Sequence, residues 1–336
     1  MSFKRLDAED FIVSSDSITS TLWSTDSPTL TTFFTNSIQE AGSSGNYYLS
    51  IYQTSSAEAV VQFDVAYCDS LGSGSALYNN AVPQNSPTKT LYGQYRTLIL
   101  EDENASFVFG VGNNVITASN FWVINFERAR YKESLFPGSL NMTLSGSGTN
   151  KIQLTDNSND VLVNTFLGST RVLQLISGSN GTAGSLANNG YVANSGSYGL
   201  VFPDLGVILL NPSAVSQSIN VAPSRSNNSD GLNNRTIFTA INKGKSFTIN
   251  SQETITSDYI FIRSRNSEFN YSENPSFISG STGEVIYSSF INNPQTYVTT
   301  VGLYNDSNEL IAVAKMSRPL VKDFTKESLI RVKLDF

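Results

Sequence analysis

No histidine occurs in this sequence. Ser-His-Asp and Cys-His nucleophiles and imidazole metal sites are therefore all excluded, because each needs an imidazole nitrogen to take a proton or bind a metal. One cysteine is present, Cys68, so no internal disulfide can form. It lies in "VVQFDVAYCD" with Gln62, Asp64 and Ala66, opposite a face of Val61, Phe63, Val65 and Tyr67. No basic residue adjoins it to favour the thiolate, and it reads as a structural thiol. The acids Glu101, Asp102 and Glu103 in "LEDENAS" follow an expected strand. A general acid–base pair needs one desolvated carboxyl and both groups facing a cleft. Neighbouring acids at a strand end point to different sides, which makes a solvated turn.

Two further patterns approach ligand chemistry without meeting its requirements. "TDNSND" places oxygens at Asp156, Ser158 and Asp160, the opening of a calcium loop. Val161 stands where that loop needs glycine and Leu167 where it needs glutamate, so a plain turn is expected. The glycine clusters at 72–75 and 145–149 have no following helix and no Lys-Ser/Thr, both of which a phosphate-binding loop needs. No catalytic residue, cofactor or metal is expected.

Arg128, Arg130 and Lys132 in "FERARYKESLFPG" form one basic cluster in an acidic chain. By strand alternation they share a face with Phe126. That face is either an ion-pairing patch for an acidic neighbour or an edge strand guarded by positive charge. At the front, Phe3, Leu6 and Phe11 either anchor an N-terminal arm on a partner or begin the first strand.

The elements that must position these groups are mostly strands. "AVVQFDVAY", "TLYGQYRTLIL" and "NFWVINFERARYK" all read as alternating β segments, with turn clusters such as "GSSGN", "DSLGSGS" and "GVGNN" between them. "LLNPSAVSQS" predicts a short helix with Asn211 as N-cap and Pro212 at its first position. "RTIFTAINKGKSF" predicts another, ended by Gly244. "SRSNNSDGLNN" reads as a mobile loop, and "QTYVTTVGLY-NDSN-ELIAVAKM" as a hairpin. In "SLIRVKLDF", Ile330, Val332, Leu334 and Phe336 alternate onto a buried face, expected beside that hairpin. The fold class expected is all-β: antiparallel sandwich- or barrel-like domains with a few short helices. A composition shift divides the chain into an N-terminal β-domain at 1–137, a Gly/Asn/Ser-rich central β-domain at 138–234 and a C-terminal β-domain at 235–336.

With 336 residues, of which 39% are hydrophobic and 11% aromatic, the chain can bury a large core. Charged residues make up only 15% and the net charge is −7, which argues against nucleic-acid binding, since few cations are present to displace counterions from phosphates. Neutral Ser, Thr, Asn and Gly supply the polarity, and these cost less to desolvate than charges do. The front of the chain lacks an apolar signal segment, and "LGVILL" is too short to span a membrane. Synthesis and folding in a cytoplasm without disulfides are expected.

Two segments carry a resemblance. "MSFKRLDAEDFIVSSDSITSTLWSTDSPTLTTFFT" resembles the opening of virion structural proteins of contractile-tailed phages, particularly those infecting marine cyanobacteria. "FNYSENPSFISGSTGEVIYSSFINNPQTYVTTVGLYNDSNELIAVAKMSRPLVKDFTKESLIRVKLDF" resembles the end of the same group. Within it, "VGLYNDSNELIAVAKMSRP" looks like a hairpin of phage tail-fibre and baseplate proteins. The resemblance implies a non-enzymatic virion protein of the tail or baseplate, present in many copies and bound to other virion proteins; charge and hydropathy argue against nucleic acid and membrane as partners. Two alternatives stay open: a tail-tip module that binds host-surface glycan, and a capsid or neck decoration protein. Phe3, Phe11, Tyr271, Phe277 and Phe336 are the candidate aromatic anchors, with Arg128, Arg130 and Lys132 as candidate ionic contacts. For each aromatic, packing within its own domain is the competing role.

Overall fold

The computed structural model describes residues 4–36, 47–75, 86–112, 114–160, 165–185, 188–226, 231–272 and 274–336. Strand accounts for 44% and helix for 15%, with antiparallel sheets that include a curled half-barrel. The all-β expectation therefore holds.

The chain divides into two compact units, a large one at 18–253 and a flanking one built from 1–17 and 254–336. This differs from the three segments expected from composition. Asn120–Phe126, from the expected first segment, pairs with Val207–Leu210 of the expected second. Asn141–Ser145, of the second, pairs with Phe247–Thr248 of the expected third. A composition shift marks where turns are rich in glycine and asparagine, while strand pairing ignores it.

The large unit is organised on one 13-stranded sheet. Along its middle, Lys151–Asp156, Thr170–Ser179, Gly199–Phe202, Val207–Leu210, Asn120–Phe126 and Val61–Asp69 follow one another as antiparallel neighbours. A sheet this wide must curl. Both of its faces are covered. Phe63, Val65, Tyr67, Trp122, Ile124, Phe126, Ile208 and Leu210 enter one core. The alternate residues Ala66, Cys68, Phe121, Val123, Val207 and Leu209 enter another. This is why "LGVILL" reads as an unbroken apolar run: a strand buried on both faces has no side to leave polar. On the first face, Trp23, Phe63, Phe126 and Phe247 form an aromatic cluster of tilted and edge-to-face rings with centroids 5.3–6.2 Å apart.

Three helices pack on this sheet. Helix α1, Pro87–Leu100, takes the place of the strand expected from "TLYGQYRTLIL". Tyr92 and Ile99 are buried there, and Leu91 and Tyr95 join them. These spacings of three and four residues mark a helical stripe that a period-2 reading misses. Helix α2, Pro212–Ile219, begins as expected, with the Asn211 side chain accepting a hydrogen bond from the Ser213 N–H at 3.1 Å. Helix α3, Leu232–Gly244, ends where expected, with Lys245 in the left-handed region. Gly244 is required by proximity, since a Cβ there would sit 1.7 Å from the carbonyl oxygen of Thr143.

Buried polar groups in the large unit fix its loops. The Asp69 carboxylate accepts from Arg225 Nε and Nη2, both at 2.9 Å, and from Ser73 Oγ at 2.7 Å. Asn233 donates to the carbonyls of Gly74 and Ser224 and accepts the Ser224 N–H. Of the segment expected to be mobile, residues 224–226 and 231–234 are therefore tied into the fold, while 227–230 lie outside the described residues. Asp156, which opens the segment expected to be a plain turn, is buried and spends its carboxylate on the Gly138 and Ser158 N–H groups, as a turn requires. Asp64, on the strand facing Ser50 and Asn125, is different. Burial pushes its carboxyl up from 3.8 to about 6, against a hydrogen bond from Ser50 and with help from the nearby Glu127. One of its oxygens, Oδ1, has no partner. Burial also holds the Cys68 thiol well above its ordinary value, in keeping with an inert core residue.

The flanking unit holds a sheet in which Asn250–Ser264 lies between Phe11–Thr21 and Ser328–Asp335. It also holds the hairpin of Thr296–Tyr304 with Leu310–Lys322, as expected, and the short helix α4, Ser288–Asn292, where "EVIYSSF" had read as a strand. The last strand does not sit beside the hairpin. It pairs with "DYIFIRS", from Ser257↔Asp335 to Ser264↔Ser328.

Candidate assembly surface

The flanking unit has apolar strands but almost no core. In residues 1–17 and 254–336 the buried apolar side chains are Ile260 and Val332, among the described residues, while Ser257, Ser264, Asn270 and Lys322 are buried polar ones. The hairpin explains the shortage. Val301 and Leu303 pair with Ala314 and Ala312 on one face and are half-buried. The opposite face carries Ile311, 67% exposed, with Val313 and Tyr304 also exposed. Both faces of this ribbon are thus apolar. A two-stranded ribbon is at best marginally stable in water, because it must bury one face to offset the ordering of its backbone.

An aromatic groove adjoins the base of the hairpin. Phe277 and Phe290 meet edge to face with centroids 4.8 Å apart, and Tyr287 lies 6.3 Å from Phe277. With Tyr297, Asn293 and Gln295 they line a groove of about 340 Å³. Helix α4 places Phe290 three residues after Tyr287 and so on the same side. The bridge Ile278↔Val285 folds the preceding segment back on itself.

Polar contacts hold this surface in shape. Lys322, 0% exposed, donates to the Asn266 carbonyl at 3.0 Å, the Asn270 Oδ1 at 2.9 Å and the Asp323 carbonyl at 3.1 Å. All three donors of the ammonium are used, on neutral oxygens. The loop they gather contains Phe269 at φ +57°, a conformation that bulky residues avoid. Lys4 pairs with Glu268 at 2.8 Å and holds its carboxyl below the usual range. On the last strand, Lys333 bonds Asp335 at 2.8 Å, which with Ser257 lowers the Asp335 carboxyl and in turn raises the Lys333 ammonium.

Four of the residues singled out from sequence fall in this unit. Phe11 is exposed on its strand, Tyr271 is exposed beside the lysine-centred loop, and Phe277 lies in the aromatic groove. Phe336 is 73% exposed, although its N–H bonds the Thr256 carbonyl at 2.9 Å. The expectation that Phe336 completes a buried face is therefore overturned: of the alternating residues, Val332 is buried, Ile330 and Leu334 half-buried, and Phe336 exposed. Phe3 lies outside the described residues. The basic cluster belongs to the large unit and forms no common strand face. The strand ends at Phe126, and Arg128–Arg130 is a single 3₁₀ turn. Arg128 stacks 4.5 Å over the Tyr131 ring and donates to its carbonyl, and Lys132 sits 3.8 Å from Glu253. Two of the three cations thus have partners within the chain. Sequence reading missed Tyr287, Phe290, Ile311 and Val313. The three-residue spacing of Tyr287 and Phe290 was the available signal.

Among the described residues no group of three or more acids or cysteines is placed to hold a metal, and no helix is long and apolar enough to cross a membrane. No family model, curated protein or solved structure matches the chain.

Proposed function

We propose that this protein is a structural subunit of a phage particle, in the tail or baseplate, joined to neighbouring virion proteins and to further copies of itself through the flanking unit. One observation carries the proposal: among the described residues, this unit orders long apolar strands around only two buried apolar side chains. Each large apolar side chain taken out of water contributes about 1.5–3 kcal/mol, and here most of that gain is left for another chain to supply. Phe11, Tyr297, Ile311, Val313 and Phe336 are exposed together with open strand edges. Such edges pair readily with a further strand. The sequence resemblance of both ends of the chain to virion proteins supports the particle as the setting.

Mass spectrometry of purified particles tests the setting, with the chain expected as a stoichiometric component. Its absence from intact particles would overturn the reading. The surface is tested by replacing Ile311 and Val313 together with Ser. The variant is expected to keep the large unit folded and to be lost from particles. Normal incorporation would remove the hairpin from the interface.

A further inference from the structure

The large unit carries a second concave surface, independent of the assembly reading. It is a groove of about 630 Å³ set against the hairpin of Phe107–Val111 and Asn114–Ala118 and the short strand Thr165–Leu167. This volume is in the range of small-ligand sites. Phe166 is 62% exposed at its wall, and Tyr191 lies half-buried beside it. Phe34, Tyr47, Tyr48 and Phe136 of this unit are exposed at 36–41%, and Phe166 exceeds all of them.

Two of the groove's carboxamides, those of Asn157 and Gln174, are fixed by the fold. Asn157 accepts the Gln174 N–H at 2.8 Å and hydrogen-bonds the Tyr191 hydroxyl. Gln174 accepts the Gly110 N–H at 3.0 Å through its side-chain oxygen, which holds the carboxamide in place and leaves its amide nitrogen to donate. Asp160 is exposed and near enough to Tyr191 to help burial raise that phenol. Asn189, in the left-handed region at φ +48°, supplies another carboxamide. Among the described lining residues there is no lysine or arginine, and Asp160 is the one charged group.

We propose that this groove binds a neutral oligosaccharide. A pyranose ring offers an apolar C–H face, which packs on an aromatic ring, and a rim of hydroxyls that both donate and accept. Phe166 and Tyr191 match the face. The Asp160 carboxylate and the carboxamides of Gln174 and Asn189 match the rim, since a carboxylate accepts from two hydroxyls and a carboxamide serves both roles. The charge distribution selects against uronic and sialic acids and against phosphates, because Asp160 repels an anion and nothing lining the groove compensates.

Calorimetric titration of the full chain tests this, with maltohexaose, laminarihexaose and mannohexaose as neutral probes and trigalacturonate as the acidic one. At least one neutral probe is expected to bind saturably, and trigalacturonate not at all. Phe166→Ala should weaken that binding by about tenfold or more with an unchanged melting temperature, since the ring contributes little to the core. Asp160→Asn should weaken it less and admit the acidic probe. Failure of all three neutral probes, tighter binding of trigalacturonate, or full affinity in the Phe166→Ala chain would each overturn the proposal. None of these outcomes depends on whether the flanking unit assembles.

Discussion

Asp64→Asn should make the large unit more stable at neutral pH and leave it unchanged in acid. The Asp64 carboxyl titrates at about 6 in the folded chain against 3.8 when unperturbed, chiefly because burial disfavours its charge. Its folded value is the higher one, so the unfolded chain gives up this proton first. The contribution to stability is complete below pH 3.8 and is lost as pH rises through about 6. A shift of this size corresponds to about 3 kcal/mol, and water reaching the rim of the site reduces the realised effect to about 1–2 kcal/mol. Asparagine keeps the shape and can accept the Ser50 hydrogen bond, but has no charge to desolvate. Urea unfolding followed by tryptophan fluorescence suits the measurement, because the two tryptophans, Trp23 and Trp122, are both buried in the large unit. The stability difference between variant and parent should be near zero at about pH 3 and rise to a plateau above about pH 7. A difference that is flat across this range, or a variant less stable at neutral pH, would refute the assignment of the strain to a buried charge.

Lys322→Met should leave the buried Asn270 side chain without its donor, at about 1–3 kcal/mol, while water can take over at the carbonyls of Asn266 and Asp323. Hydrogen exchange should then quicken across residues 265–272, and unchanged protection there would count against the lysine as the organiser of that loop. Gly244→Ala drives a methyl into the Thr143 carbonyl and should destabilise the large unit by about 1–3 kcal/mol; a melting temperature equal to the parent's would contradict the close approach. Phe336→Ala should change the stability of the isolated chain by no more than about 0.5 kcal/mol yet reduce incorporation into particles, and a large loss of stability would show that the ring is buried within its own chain.

What the sequence made legible follows from how local each cause is. The Asn211–Pro212 helix start, the Gly244 helix end and the 296–322 hairpin are set by a few adjacent residues, and each appears where the pattern puts it. The aromatics and leucines of helix α1 fit alternation over short stretches, and the three- and four-residue steps from Tyr92 through Tyr95 to Ile99 distinguish the helical period. The unit boundaries were not legible at all. They depend on which distant strands pair, and Asn250–Ser264 contains one of them in mid-strand without any change in composition. The surface was half legible: aromatics at 271, 277 and 336 were marked, but their exposure depends on how little the flanking unit has to bury. Arg128 and Lys132 looked available because nothing in their neighbourhood names Tyr131 and Glu253 as partners.

The division of the chain has a further consequence for how such a protein can change. Residues 18–253 are continuous, and the segments on either side of them belong to Phe11–Thr21 and Asn250–Ser264, neighbours in one sheet. The large unit is thus threaded as an insert between two adjacent strands. Both ends of the insert therefore leave from one sheet, so a change within it alters the flanking strands only where the chain enters and leaves them. A lineage built this way can vary its insert freely and still use the same flanking strands.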